Sequence, residues 1–288
     1  MRTPVTLVIF LFGLLALFGL AISLGDSVGS LFGLGAAASE HGDGSEEDHG
    51  PGPEPGEPTG LAIADRGYVL LPANTRLAAE KVSDFRFNVF TVDRVPVTDF
   101  ALHQDKEMHL IVVRRDLTEY QHLHPTMGPD GTWSVRLLLD EPGSYRAFAT
   151  FRPETATAPV TLGVDLSAPG LVDNGPVQQP KKVTEVDGYS VTLSGETIAG
   201  GVARLYLAVM RDDEPVTDLE PYLGTTGHLV VLREGDLAYL RGDAVAGTGA
   251  GPTLSFDAGL PTAGYYRLFL DFQHRGQVRT AEFTVLAS

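Results

Sequence analysis

The chain has 288 residues, of which 43% are hydrophobic and 20% are charged, so it is long enough for about two domains with real cores. Its formal net charge of −16 repels phosphate backbones, and we expect no nucleic-acid partner. Cysteine is absent, which excludes disulfides and thiolate metal sites. Histidine, methionine and carboxylates remain as candidate metal ligands.

The N-terminal part of the sequence predicts a membrane segment. Residues 4–24 carry no charge and are long enough to cross a bilayer as a helix. Arg2 precedes this stretch and Asp26 follows it, which places the N-terminus in the cytoplasm and the rest outside. We therefore predict a cytoplasmic start and a transmembrane signal anchor within residues 1–38, or a secreted protein if the segment is cleaved. Residues 39–60, with seven acids and no base, are predicted to be an acidic disordered tether.

The remainder of the sequence contains an internal duplication. The segment 109–114 (HLIVVR) recurs as His228–Arg233 (HLVVLR), and further matches lie on both sides of it. The duplication predicts a first module at 61–166, a linker at 167–182 and a second module at 183–286.

Each module has the sequence pattern of short β-strands. Apolar residues alternate with polar ones, as at Trp133, Val135 and Leu137, and turn sequences such as 128–131 (GPDG) separate the runs. Helical periodicity is nearly absent. The pattern predicts an all-β protein with two tandem immunoglobulin-like β-sandwich modules after the N-terminal transmembrane helix. A cupredoxin-like arrangement differs only in strand order and stays open.

Histidines are concentrated in the first module. Four of the eight, His103, His109, His122 and His124, fall within 22 residues. His122 and His124 are two apart and therefore face one side of a strand. A short turn at 115–118 would pair residues whose numbers sum to 233, which places His109 opposite His124. Three imidazoles would then form a compact triangle.

Imidazole triads suit copper, zinc or nickel, and the Irving–Williams order favours copper. We predict a metal site with His109, His122 and His124 as ligands and His103 as a fourth candidate. Met127 borders the cluster and would suit cuprous ion. The expected cofactor is therefore a copper ion, with zinc as the alternative.

Two acidic residues are candidates for supporting roles. Asp105 and Glu107 share strand parity with His109, so they could act as oxygen ligands or as acceptors that orient the imidazoles. No activated nucleophile or cofactor loop accompanies the histidines, so we expect a binding protein and no enzyme.

The second copy lacks most of these ligands. His228 matches His109, but Arg241 and Asp243 stand at the positions of His122 and His124. The second module is therefore expected to be a non-binding or differently binding copy, in which an ion pair between Arg241 and Asp243 replaces the metal.

Two sequence blocks carry a resemblance to a known family. The block 108–125 (MHLIVVRRDLTEYQHLHP) and the block 227–240 (GHLVVLREGDLAYL) resemble bacterial membrane-anchored or secreted heavy-metal-binding domain proteins. The resemblance to periplasmic copper-resistance β-sandwich proteins is looser. Both resemblances imply envelope handling of a transition metal, with the three histidines of the triangle at matching positions. Family members carry His-x-His-Pro in the second copy as well, where this chain has 241–244 (RGDA).

These observations predict a membrane-tethered, extracytoplasmic transition-metal-binding protein that acts as a buffer, carrier or sensor. Copper is the more favoured ion. Its expected partners are the metal ion, the membrane through the N-terminal helix, and metal-transport proteins. The alternative is a structural or protein-recognition pair of immunoglobulin-like modules with no metal, in which the histidines serve as packing or interface groups.

Overall fold

The computed structural model of the chain describes residues 57–173, 175, 177–245, 247 and 249–288. The predicted membrane segment and most of the predicted tether therefore lie outside the described residues. Among the residues that are described, no helix is both long and apolar enough to span a membrane. All of them belong to one compact unit.

The first module is built entirely from antiparallel strands. The strands are β1 (Ala64–Asp65), β2 (Tyr68–Pro72), β3 (Ser83–Thr91), β4 (Phe100–Ala101), β5 (Met108–Arg114), β6 (Gln121–Leu123), β7 (Thr126–Met127), β8 (Trp133–Leu137), β9 (Gly143–Pro153) and β10 (Val160–Ala168). One sheet has the order β1-β2-β3-β8-β7, the other has the order β10-β9-β5-β6, and β4 pairs with β9.

The second module repeats this arrangement in a continuous sheet that folds over itself. The strands are β11 (Val183–Val186), β12 (Tyr189–Ser194), β13 (Gly201–Arg211), β14 (Glu214–Pro215), β15 (His228–Arg233), β16 (Tyr239–Ala244), β17 (Thr253–Leu260), β18 (Gly264–His274) and β19 (Gln277–Ala287). Their order in the sheet is β11-β12-β13-β17-β16-β15-β18-β19, with β14 paired to β13.

Alternating apolar residues fill the space between the two layers of each module. Phe85, Phe87 and Trp133 lie in the core of the first module, and Leu205, Phe256 and Phe283 lie in the core of the second. These side chains are at most 2% exposed, so the period-two pattern of the sequence marks inward-facing positions.

A tyrosine corner in each module identifies the sandwiches as immunoglobulin-like. The hydroxyl of Tyr145, near the start of β9, donates to the carbonyl of Glu141 at 2.7 Å. Tyr266, at the same place on β18, donates to the carbonyl of Thr262 at 2.7 Å. A tyrosine that bonds back to the backbone a few residues upstream is a hallmark of this fold. The predicted all-β fold with two immunoglobulin-like modules is confirmed.

The modules pack against each other through a third apolar cluster, here called the inter-module cluster. It buries the outer face of β5 and β9 against the outer face of β15 and β18. Its members are Ile111, Val113, Leu117, Tyr120 and Phe148 from the first module and Val230, Leu232, Leu237, Tyr239 and Phe269 from the second. This packing explains why every residue of β5 is buried, since both faces of the strand are covered.

The inter-module cluster is nearly symmetric, because the two copies contribute equivalent residues. Ile111 pairs with Phe148 across the strands of the first module, and Val230 pairs with Phe269 in the second. Tyr120 stacks on Phe269 with ring centroids 4.1 Å apart. Tyr239 lies against Phe148 with centroids 5.7 Å apart. The duplicated modules therefore meet through the same surface, as in a two-fold dimer.

The last residues of the predicted tether pack against both modules. The backbone of Thr59 exchanges hydrogen bonds with Tyr239, and the amide of Gly60 donates to the carbonyl of Thr161 at 3.1 Å. The guanidinium of Arg146 donates to the carbonyls of Gly60 and Leu61. The chain is thus anchored to the folded modules from Thr59 onward.

Candidate functional site

The β5–β6 hairpin positions the histidine triangle. The observed strand pairs have residue numbers that sum to 233, so the predicted register is confirmed. These pairs are Leu110 with Leu123, Ile111 with His122, and Val112 with Gln121. His109 on β5 and His124 just after β6 extend the same register by one position.

The three imidazoles lie together, as the register requires. Ring centroids are 5.3 Å apart for His109 and His122, 5.2 Å for His109 and His124, and 4.8 Å for His122 and His124. One ring nitrogen from each residue lies within 4.8 Å of the other two. This separation is short enough for the three side chains to share a single ion after small rotations.

The tautomer of His109 is set by a backbone carbonyl. Nε2 of His109 lies 2.8 Å from the carbonyl oxygen of His103. Because a carbonyl only accepts, Nε2 must carry the proton and donate it. Nδ1 of His109 is then unprotonated, and it faces Nε2 of His122 at 3.0 Å.

The tautomer of His122 is set by a carboxylate from the second module. Nδ1 of His122 lies 2.7 Å from Oδ2 of Asp271. Thr280 donates to the other carboxylate oxygen at 2.6 Å. Burial raises the pKa of Asp271 to about 6, so the group is a carboxylate at neutral pH and accepts the proton of His122 Nδ1. Nε2 of His122 is then unprotonated as well.

At neutral pH the cluster therefore brings two nitrogen lone pairs face to face. Burial lowers the pKa of His122 to about 3, and it also lowers the pKa of His109, so neither ring carries a second proton. Nδ1 of His109 and Nε2 of His122 oppose each other at 3.0 Å without a proton between them. A cation between the two nitrogens would relieve this repulsion and leave both outer hydrogen bonds in place.

His124 supplies a third nitrogen. Its Nε2 is buried, and it has no hydrogen-bond partner among the described residues. Burial, and then the neighbouring His122, lower the pKa of His124 to about 3, so this ring is also neutral. A buried, unpaired imidazole nitrogen is costly unless it meets a partner, and the partner that its neighbours suggest is a cation.

His103, the predicted fourth ligand, contacts the triangle through its backbone carbonyl. Its ring centroid is 5.9 Å from that of His109, and its imidazole is not in the group of clustered ligand atoms among the described residues. Its backbone carbonyl orients His109 instead.

The remaining candidates, Met127 as a ligand and Asp105 and Glu107 as ligands or orienting acceptors, have other surroundings. Met127 lies on β7, pairs with Trp133 and packs against the core of the first module. Asp105 and Glu107 are exposed. The acceptors that orient the imidazoles are the His103 carbonyl and Asp271.

The second module contributes His228 and Asp271, whose positions beside the triangle the sequence did not predict. The ring of His228 lies 4.7 Å from that of His122 by centroid distance and is stacked on that of His109 at 5.9 Å. Its Nε2 donates to Oε1 of Gln104 at 3.0 Å, and its buried Nδ1 has no hydrogen-bond partner in the part of the chain that the structure describes. His122, His228 and Asp271 form a second group whose ligand atoms lie within 4.8 Å of one another. The available signal was the carboxylate of Asp271 inside the apolar run 268–272 (LFLDF).

Arg241 and Asp243 form the ion pair that was predicted for the second copy. Nη2 of Arg241 lies 2.7 Å from Oδ1 of Asp243. Both side chains are more than a third exposed, so the pair adds little stability. It lies on β16, at the positions that His122 and His124 have in the first module.

Comparison with known proteins identifies a repeated family domain. A family model described as Domain of unknown function (DUF8832) matches residues 64–167 and again residues 184–288. The predicted internal repeat is thereby confirmed. No curated protein matches the chain.

Several solved structures show a distant likeness. They include FdeC, an Escherichia coli adhesin (14% identity, 79% of this chain, 66% of that chain, TM-score 0.25). A two-domain fibronectin type-III segment from chicken tenascin has 10% identity, 75% and 99% coverage, and a TM-score of 0.21. A Salmonella alpha-2-macroglobulin mutant has 10% identity, 81% and 15% coverage, and a TM-score of 0.26. The chain spans just under two thirds of the adhesin structure. These low scores carry no inference about function.

Proposed function

We propose that this chain, which belongs to the DUF8832 family, binds a transition-metal ion through His109, His122 and His124. The observation that carries the proposal is the 3.0 Å contact between Nδ1 of His109 and Nε2 of His122, in two rings whose other nitrogens both face acceptors. Protein interiors pair buried polar atoms, so two facing lone pairs indicate a position for a cation.

The geometry of these nitrogens suits a metal ion. Zinc binds imidazole nitrogen at about 2.0–2.1 Å, and two nitrogens 3.0 Å apart then subtend roughly 95° at the ion. A small opening of the hairpin would bring this angle toward tetrahedral. The outer nitrogens of both rings keep their acceptors, the His103 carbonyl and the Asp271 carboxylate, as metal-bound histidines usually do.

The donor set also bears on the identity of the ion. Three neutral imidazoles suit Cu(II) or Zn(II), and the Irving–Williams order favours copper. Cuprous ion prefers thioether or thiolate ligands, and the half-buried Met127 packs against the core of the first module. We therefore propose Cu(II) first and Zn(II) second, in a protein that buffers, carries or senses the ion.

The proposal of an extracytoplasmic, membrane-tethered location rests on the sequence of residues 1–38 alone. The resemblance to heavy-metal-binding envelope proteins, and the metal-transport partners it implies, likewise stay proposals from sequence.

A second candidate function is protein recognition or scaffolding by the tandem modules. The confirmed fold supports the structural part of this alternative directly, whereas metal binding rests on the histidine geometry. In this alternative the histidines only tie the modules together, as the contacts of His122 with Asp271 and of His228 with Gln104 already do.

A metal titration with matched variants tests the proposal. The full chain would be titrated with Cu(II) and with Zn(II) against a chromophoric chelator, beside His122→Ala/His124→Ala. The control is Arg241→Ala/Asp243→Ala, which changes the equivalent positions of the second module. We expect one ion per chain, abolished by the first pair of substitutions and retained with the second. Equal uptake by the wild type and both variants would leave the scaffold alternative.

A further inference from the structure

The two copies have diverged in complementary ways around the histidine triangle. On the first module, His109 pairs across the strands with Thr150. On the second module, the equivalent His228 pairs across the strands with Asp271. The first copy thus has imidazoles at positions 122 and 124 but a threonine where a carboxylate would be. The second copy has the carboxylate but no imidazoles at the matching positions.

Asp271 is held so that it faces the imidazoles of the other module. Its side chain is only 2% exposed, and its two oxygens meet His122 at 2.7 Å and Thr280 at 2.6 Å. The Tyr120 hydroxyl approaches the same oxygen as His122 at 3.4 Å. Two of these three donors belong to the first module, so the carboxylate acts across the inter-module cluster.

The partners of Thr150 show what the first module lacks. Its hydroxyl bonds the hydroxyl of Thr161 at 2.9 Å, at the place where Asp271 meets Thr280 in the second module. A threonine pair carries no charge to balance a cation. Without the second module, His122 would therefore lose the acceptor that directs its Nε2 toward His109.

We propose that the two modules share one metal site, in which Asp271 of the second module is the positioning residue for His122. A bound metal ion then stabilises the contact between the modules. This inference rests on the proposed function. It also gives the second module a role in metal binding, although that module lacks the histidines that would match His122 and His124. Because the acceptor and the ligand lie on different modules, metal binding and module docking stabilise each other to the same extent.

Substitutions at Asp271 in the full chain test the inference. We expect both Asp271→Asn and Asp271→Thr to weaken Zn(II) affinity by about 10–100-fold. The second substitution introduces the residue type that the first module has at the equivalent position, Thr150. Asp271→Glu should recover part of the loss. The control Asp243→Asn removes an exposed carboxylate of the same module and should leave the affinity within about twofold.

Two spectroscopic readouts separate positioning from general destabilisation. Two-bond ¹H–¹⁵N spectra of the His122 ring should show protonated Nδ1 in the wild type and a changed tautomer population in Asp271→Asn. Zinc should slow amide exchange on β5 and β15 in the wild type and do so less in Asp271→Asn.

The outcomes distinguish this inference from the proposed function. Absence of zinc and copper uptake by the wild type would refute the proposed function itself. Wild-type uptake with unchanged affinity and an unchanged His122 ring spectrum in Asp271→Asn would overturn the shared site and leave the triangle as the ligand set.

Discussion

Acidification should unfold the metal-free protein more readily, because the histidine cluster is buried and neutral. An unfolded histidine binds its proton near pH 6.5, whereas the folded-state pKa of His122 is lowered to about 3. Below pH 6.5 the unfolded chain therefore binds protons that the folded chain does not. The stability contributed by the neutral ring is complete above pH 6.5 and is lost progressively as the pH falls.

The structure sets the size of this effect. Between pH 7.5 and pH 5, the difference at His122 removes about 2 kcal/mol from the free energy of unfolding. The pKa of Asp271 is raised to about 6, so on acidification this carboxylate binds a proton in the folded state before it does so in the unfolded state. That proton uptake offsets about 1 kcal/mol of the loss of stability. The lowered pKa values of four further histidines act in the destabilising direction, namely His103, His109, His124 and His228. The net change is a loss of stability on acidification.

Guanidinium denaturation at pH 7.5 and pH 5, in the presence of a chelator, measures this loss. Trp133, the single tryptophan, is 1% exposed and reports unfolding of the first module by its fluorescence. His122→Gln should lose about 2 kcal/mol less than the wild type over the same interval. A wild-type stability that is equal at the two pH values, or an equal loss in the variant, would refute the buried neutral state of the cluster.

Three further expectations follow from the positions of individual side chains. His103→Ala and Met127→Leu should each leave Zn(II) affinity within about threefold in the chelator titration, because His103 contributes only a carbonyl and Met127 packs against the core. A tenfold loss in either would restore it to the ligand set. Phe269→Ala should cost about 3–5 kcal/mol in denaturation, and Phe148→Ala a similar amount, since both rings are fully buried between the modules. Costs under 1 kcal/mol would mean that the modules do not dock in solution. Tyr145→Phe should cost about 1 kcal/mol by loss of the bond to the Glu141 carbonyl, and an unchanged denaturation midpoint would contradict the tyrosine corner.

Local spacing predicted the parts of the site that lie on one hairpin. His122 and His124 are two residues apart. This spacing and the length of the turn after β5 together determine which side chains share a face of the hairpin. These quantities depend only on strand geometry, and the observed register agrees with them. The all-β fold followed from the same alternation.

The contribution of the second module depends on packing that local spacing does not specify. Asp271 is 149 residues from His122 in sequence, and the two meet only because the outer faces of β5 and β15 pack together. The apolar outward positions Ile111 and Val230 were visible in the sequence, but they fit the interior of a single module equally well. The sequence matched His228 to His109 within a copy expected to be non-binding or differently binding, whereas docking brings His228 against the triangle.

Anomalous diffraction from crystals of the metal-loaded full chain tests the central claim most directly. Data collected at the copper or zinc absorption edge should show one peak about 2.0–2.3 Å from Nδ1 of His109 and Nε2 of His122, with His124 as the third ligand. The absence of a peak at these nitrogens, or a peak only at the His274–Asp218 pair, would contradict the account.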